Sequence, residues 1–170
     1  MEEVNTVFLS IGSNLGDRMG NLNTAVNLLK KNNCTILQTS RVYETDAIGF
    51  ETQDRFLNAA VKIETYLSPF DLLTVIKQIE NQLGRKTNSS HIGYQSRTID
   101  LDIVFYNDLT LKSDVLTIPH PSYQERLFVL KPLKDLINKE DLHFFYLVET
   151  SFTKVQSQQS IDETCFSLIH

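Results

Sequence analysis

Two aspartates, Asp100 and Asp102, lie two residues apart in the segment Ser96–Tyr106, which is otherwise rich in aliphatic, β-branched and aromatic residues. This composition predicts a β-strand, on which residues two apart share a face and have Cβ atoms about 7 Å apart. Their carboxylates repel each other, and a divalent cation would offset the repulsion. Oxygen ligands without a neighbouring His or Cys favour Mg²⁺ over Zn²⁺. The alternative is a strand edge whose acids face water.

Three basic side chains could complement these acids. Arg97 is three residues before Asp100, so strand alternation would put it on the opposite face unless the strand begins after it. His120 is held between two prolines, and Arg126 follows six residues later. A lone histidine is more often structural than chemical, so none of these residues identifies a site by itself.

Other candidates also have an ordinary interpretation. Lys77 and Glu80 are one turn apart on a predicted helix, where a surface ion pair is the simplest hypothesis. Phe56, Tyr94 and Phe128 could all belong to the core.

Composition limits the class of protein. The 170 residues are 41% hydrophobic and 22% charged, with a net charge of −5, which predicts one domain over 1–170 with a real core. This charge disfavours a nucleic-acid or acidic-membrane partner. Cys34 and Cys165 form neither a disulfide framework nor a metal motif, and no signal peptide or membrane-spanning run is evident. We expect a cytoplasmic protein, acting as a monomer on small molecules.

The elements alternate along the chain. Apolar patterning predicts strands and helices in the order strand, helix, strand, strand, helix, strand over the first hundred residues. This order predicts an α+β fold of the ferredoxin-like type, an antiparallel sandwich with helices packed on the sheet and elements appended after Phe105. We expect a turn over 12–17, a helix broken near Pro132, and a less ordered tail over the last 15–20 residues.

Several segments, taken together and in order, resemble the 6-hydroxymethyl-7,8-dihydropterin pyrophosphokinase family up to about Leu136. The most specific is Arg97-Thr98-Ile99-Asp100-Leu101-Asp102-Ile103. The other matching segments are Gly12-Ser13-Asn14-Leu15-Gly16-Asp17, Tyr43-Glu44-Thr45, Phe56-Leu57-Asn58-Ala59-Ala60-Val61, Glu80 with Leu83-Gly84-Arg85, and Thr117-Ile118-Pro119-His120-Pro121 with Arg126 and Phe128.

The resemblance implies transfer of pyrophosphate from ATP to the hydroxymethyl group of the dihydropterin, releasing AMP. It implies that Asp100 and Asp102 hold two Mg²⁺ ions and that Arg97, Arg126 and Arg85 assist catalysis. The further ATP contacts that it implies are Lys77, Glu80, Tyr94, Ile103, Thr117 and His120.

For the pterin, the resemblance implies that Phe56 and Phe128 sandwich the flat ring. It also implies that Asn58 hydrogen-bonds the ring edge, together with Thr45, Asp46 and Ile48. The polar loops 47–54 and 86–96 would close over the substrates as lids.

This chain departs from the family pattern at four places. Tyr94-Gln95-Ser96-Arg97 replaces a common Trp-Gly-Pro-Arg, and Ala47 replaces a frequent proline. Lys77 and Val115 also differ from residues common in the family. None of the four changes either aspartate.

Two other classes of function remain open at this point. One is a ferredoxin-like regulatory module that binds a structural metal without catalysis, which would not require Arg97, His120 and Arg126 to converge on the acids. The other is a metal-dependent nuclease or another phosphotransferase. A nuclease would need a basic groove, which the net charge disfavours.

Overall fold

The structure is a computed structural model that describes residues 3–47, 54–84, 97–139 and 141–169. A 3₁₀ turn over Tyr123–Glu125 precedes the third helix. The other elements are β1 (Asn5–Ser13), α1 (Arg18–Lys31), β2 (Cys34–Thr39), β3 (Arg41–Thr45), β4 (Phe56–Thr65), α2 (Pro69–Gln82), β5 (Asp100–Tyr106), β6 (Leu111–Lys112), β7 (Thr117–Ile118), α3 (Leu127–Leu136), α4 (Leu142–Val155) and β8 (Asp162–Ser167).

The main sheet is antiparallel and has the strand order β5-β1-β4-β3-β8, with β2 also paired to β4. The predicted second strand, 34–45, is interrupted at Ser40 and forms both β2 and β3. If β2 and β3 are taken as one strand, this order is that of a ferredoxin-like sandwich. The predicted fold is confirmed.

Helices cover both faces of the sheet. Leu9 and Ile11 of β1 belong to the core cluster with α1 and α2, whereas Phe8 belongs to a second cluster with α3 and α4. The alternation of side chains along a strand explains this division. On the face of Phe8, the next positions of β1 are Ser10 and Gly12, so the apolar core ends there and leaves room for a cavity.

The residues at both ends of α2 follow the usual capping preferences of helices. Ser68 Oγ accepts a hydrogen bond from the Asp71 N–H at 3.2 Å, and Pro69 occupies the first turn. Gly84 follows the last turn with φ +89°, a left-handed conformation that favours glycine.

The predicted helix break near Pro132 is wrong, because α3 runs through this proline to Leu136. A proline there removes one helical hydrogen bond to the carbonyl of Phe128. Burial of Leu130 and Leu133 against the sheet offsets that loss.

Two further segments differ from simple expectation. Gly12 lies within β1 rather than in the turn that follows, and the left-handed turn residue is Gly16 with φ +65°. The final residues, for which a less ordered tail was predicted, contain β8 paired to β3.

In the described part of the chain, no helix is both long and apolar enough to cross a membrane.

Candidate active site

A cavity of about 450 Å³ lies against β1, β4 and β5 and is bounded by α2 and the start of α3. It brings together most of the residues predicted from the sequence, which are Thr45, Asp46, Phe56, Asn58, Lys77, Glu80, Arg97, Asp100, Asp102, His120, Arg126 and Phe128. The lining residues that the sequence did not predict are Ser10, Gly12, Leu73, Ile76 and Leu101.

Asp100 and Asp102 form the acidic wall of the cavity. In the pairing of β1 with β5, Asp100 is opposite Gly12 and Asp102 is opposite Ser10, so both carboxylates extend from the same face. Burial, and after it the negative charge of Asp100, together raise the pKa of Asp102 to about 7. A cation beside these two carboxylates would favour their ionised forms.

Arg97 reaches the acids because β5 begins only at Asp100. Its Nη1 donates to Asp100 Oδ2 at 2.7 Å. Asn14 holds the backbone of Arg97 on both sides, since Asn14 Oδ1 accepts from the Arg97 N–H at 2.6 Å and the Asn14 N–H donates to the Arg97 carbonyl at 3.1 Å. Because the strand begins after Arg97, strand alternation does not keep its side chain away from the acids.

His120 is oriented by the backbone around it. Its Nδ1 accepts a hydrogen bond from the Ser122 N–H at 3.2 Å, which leaves the ring proton of the neutral form on Nε2. Nε2 is 4.0 Å from Asp102 Oδ2. Burial and the nearby positive charge of Arg126 lower the pKa of His120, so at neutral pH it presents an uncharged N–H donor to the cavity.

Glu80 is buried rather than part of a surface ion pair. Its Oε1 accepts a hydrogen bond from the Leu101 N–H at 3.0 Å. Leu101 is the residue between the two aspartates, and β5 is at the edge of the sheet. Glu80 therefore ties the paired-acid segment to α2, and its burial contradicts the surface position that the hypothesis of an exposed ion pair assumed.

We expect Glu80→Ala to lower the free energy of unfolding by about 1–3 kcal/mol, because the buried Leu101 N–H loses its acceptor. Glu80→Gln keeps an acceptor oxygen and should retain most of that stability. Urea unfolding followed by circular dichroism measures both variants. Equal stability of Glu80→Ala and the wild type would contradict the anchoring role.

The opposite part of the cavity is aromatic and amide-lined. Asn58 Nδ2 donates to Thr45 Oγ1 at 2.9 Å, which fixes the orientation of the amide. A Cβ added at Gly12 would lie 3.1 Å from Asn58 Oδ1, so glycine leaves room for this amide. Phe56 and Phe128 complete this end.

Some predicted residues lie elsewhere. The side chain of Ile103 is buried in the core with α1 and α2, and Thr117 lies in β7. Neither residue lines the cavity. Ile48, Arg85 and Tyr94 lie outside the described residues, as does most of both predicted lid loops.

The donor set fits magnesium bound together with a phosphate ligand. Among the described residues, no group of three or more His, Cys, Asp or Glu side chains could enclose a metal ion. Mg²⁺ commonly binds through one or two carboxylates and completes its coordination with water and substrate phosphates. Asp100 and Asp102 supply such a pair, and Arg97, Arg126 and His120 line the same cavity with N–H groups of the kind that can donate to phosphate oxygens.

The family model for 7,8-dihydro-6-hydroxymethylpterin-pyrophosphokinase (HPPK) matches residues 8–138. The 2-amino-4-hydroxy-6-hydroxymethyldihydropteridine pyrophosphokinase of Bacillus subtilis (strain 168) is 44% identical over 133 residues, covering 78% of this chain and 78% of that protein. The bifunctional protein FolKE of Lactococcus lactis subsp. lactis (strain IL1403) is 40% identical over 158 residues, which cover 92% of this chain. The chain spans only 44% of the length of that bifunctional relative.

Similarity also extends to solved structures. A crystal structure of wild-type Plasmodium falciparum HPPK-DHPS with pteroate has a TM-score of 0.65 and 19% identity, covering 92% of this chain and 43% of that one. At this identity the likeness shows a shared fold, an antiparallel sheet with helices packed on it.

Proposed function

The chain belongs to the 7,8-dihydro-6-hydroxymethylpterin-pyrophosphokinase family, and on this premise we propose that it transfers pyrophosphate from ATP to 6-hydroxymethyl-7,8-dihydropterin in folate biosynthesis. The hydroxymethyl oxygen attacks the β-phosphorus of ATP and loses its proton. The bond between the β-phosphorus and the oxygen bridging to the α-phosphorus breaks, and AMP leaves with that oxygen. The products are the pterin diphosphate, AMP and one proton.

The acidic wall is the nucleotide end of the cavity. Asp100 and Asp102 would hold two Mg²⁺ ions, which would neutralise the phosphate oxygens that repel the incoming hydroxyl. Arg97 and Arg126 donate hydrogen bonds to the phosphates, and the Nε2–H of His120 adds a neutral donor. Lys77 lines the same cavity and adds positive charge.

The aromatic end is the pterin end. Phe56 and Phe128 stack on the flat ring, and Asn58 pairs its amide with the edge of the ring. Because Asn58 Nδ2 is held by Thr45 Oγ1, the amide is oriented before the substrate binds.

One observation carries the proposal: Arg97, His120 and Arg126 converge with the two aspartates in a cavity that also has an aromatic end. A purely structural metal site would not require this convergence. The hypothesis of a regulatory module without catalysis is therefore disfavoured.

The test is to incubate the purified protein with ATP, Mg²⁺ and the hydroxymethyl dihydropterin and to separate the nucleotides. We expect AMP and pterin diphosphate in equal amounts, with neither formed when the pterin or Mg²⁺ is omitted. Folded protein that binds Mg²⁺ but forms no AMP would favour the regulatory module. Formation of ADP would indicate a different phosphotransferase.

We expect Phe56→Ala to weaken pterin binding about tenfold, because the variant loses the stacking face on one side of the ring. The affinity for a nucleotide analogue should change less than twofold. Isothermal titration with each ligand measures both effects. Phe70→Ala, which removes an exposed phenylalanine of α2 outside the cavity, is the matched control. Equal losses for pterin and nucleotide would count against the stacking role.

A further inference from the structure

A network of charged side chains lies at the base of the pterin end, centred on Arg55. Its guanidinium donates through Nη1 to Glu44 Oε2 at 3.0 Å, through Nε to Asp46 Oδ1 at 2.9 Å, and through Nη2 to Asp162 Oδ2 at 2.7 Å. Arg18 Nη1 donates to Glu44 Oε1 and to the carbonyl oxygen of Arg55, both at 2.7 Å. Each donor nitrogen of Arg55 thus has its own carboxylate.

This network joins the two chain segments that form the pterin end. Glu44 and Asp46 flank Thr45, whose hydroxyl holds the Asn58 amide. Arg55 directly precedes Phe56. The Arg55 side chain therefore links the segment around Thr45 to the segment that carries Phe56.

The third contact brings in the C-terminal strand. Asp162 is the first residue of β8, which pairs with β3. In this pairing Asp162 lies opposite Glu44. The family model matches only residues 8–138, so β8 lies outside the matched region. The contact between Arg55 and Asp162 connects this additional strand to the base of the pterin end.

We propose that Arg55 is a positioning residue that sets the distance between Thr45 and Phe56 at the pterin end. We also propose that β8 takes part in pterin binding through the contact of Asp162 with Arg55. The inference rests on the proposed function. Arg55 does not line the cavity, so it acts through Thr45 and Phe56 rather than by touching substrate.

The exposure of these side chains indicates what the network contributes. The Arg55 side chain is 34% exposed and that of Asp162 is 65% exposed, and ion pairs at such positions add little to overall stability. A guanidinium, however, fixes the directions of its hydrogen bonds because its donors form a rigid planar fork. We therefore expect the network to affect substrate affinity more than stability.

The test measures pterin affinity by fluorescence in the presence of Mg²⁺ and α,β-methylene ATP, with nucleotide affinity measured separately. We expect Arg55→Ala to weaken pterin binding about five- to tenfold and Asp162→Asn about two- to threefold, with nucleotide affinity within twofold of the wild type. Arg55→Lys keeps the charge but loses the fork, so its affinity should be intermediate.

Glu163→Gln is the matched control, because it removes the neighbouring carboxylate of β8, which pairs with Arg41 instead of Arg55. We expect it to bind pterin like the wild type. Pterin affinity that is unchanged in Arg55→Ala, or that falls together with nucleotide affinity, would overturn the inference. Wild-type protein that binds nucleotide but no pterin would instead overturn the proposed function on which the inference rests.

Discussion

Asp102→Asn is expected to reduce turnover by at least about 1000-fold, because it removes a ligand charge from the proposed magnesium site, at which phosphate charge must be neutralised. The amide is nearly the same size as the carboxylate, so the geometry of β5 should persist. AMP formation under saturating substrates measures the loss. Asp108→Asn changes an exposed acid just after the same strand and should keep full activity.

The same substitution should stabilise the metal-free protein. The pKa of Asp102 is raised to about 7 in the folded state, whereas an unfolded aspartate titrates near 3.8. The folded protein thus retains a proton that the unfolded chain releases, and the contribution of Asp102 to stability falls as pH rises from about 4 to 7. Since 38% of the Asp102 side chain is exposed, water screens part of this effect. We therefore expect ionised Asp102 to lower the free energy of unfolding by about 1–2 kcal/mol.

We therefore expect the melting temperature of Asp102→Asn to exceed that of the wild type by about 3–6 °C at pH 8, with a smaller difference at pH 5. Saturating Mg²⁺ should stabilise the wild type more than the variant. Thermal unfolding at the two pH values, with and without Mg²⁺, measures both effects. A variant that melts below the wild type at pH 8 would show that Asp102 is a structural acid.

Arg97→Ala is expected to lower kcat/KM for ATP about 100-fold, because it removes a charged donor from the proposed phosphate site and the 2.7 Å ion pair that Arg97 makes with Asp100. The backbone of residue 97 should stay in place, since Asn14 holds its N–H and carbonyl. Steady-state kinetics with ATP as the varied substrate measure this loss.

Arg97→Lys supplies the control for charge alone. It should recover only part of the activity, because an ammonium cannot bind two oxygens in a fork. Added guanidinium at millimolar concentration should partly restore Arg97→Ala and should not affect Arg97→Lys. Full activity of Arg97→Ala would remove this residue from the phosphate site.

Much of the fold follows from local patterns. The caps of α2 and the buried stripe of α1 (Leu22, Ala25, Val26 and Leu29) reflect hydrogen-bonding and burial rules that act within one or two turns. Pro132 was misjudged because the break predicted from local propensity is overridden by packing of α3 on the sheet, which depends on distant residues.

The site shows a similar division. Strand alternation is enough to pair Asp100 with Asp102, but the places of Ser10 and Gly12 depend on the register between β1 and β5. Leu73 and Ile76 have the periodicity of ordinary core residues, and their position at the cavity depends on how α2 packs. The role of Glu80 was missed for the same reason, because its partner is a backbone N–H 21 residues away.

The most direct test of the account is a crystal structure with Mn²⁺ in place of Mg²⁺, α,β-methylene ATP and the hydroxymethyl dihydropterin. We expect anomalous peaks at two metal positions, bound by oxygens of Asp100 and Asp102 and by phosphate oxygens of the nucleotide, with the pterin ring between Phe56 and Phe128. A nucleotide bound with those carboxylates turned away and no metal at them would contradict the account.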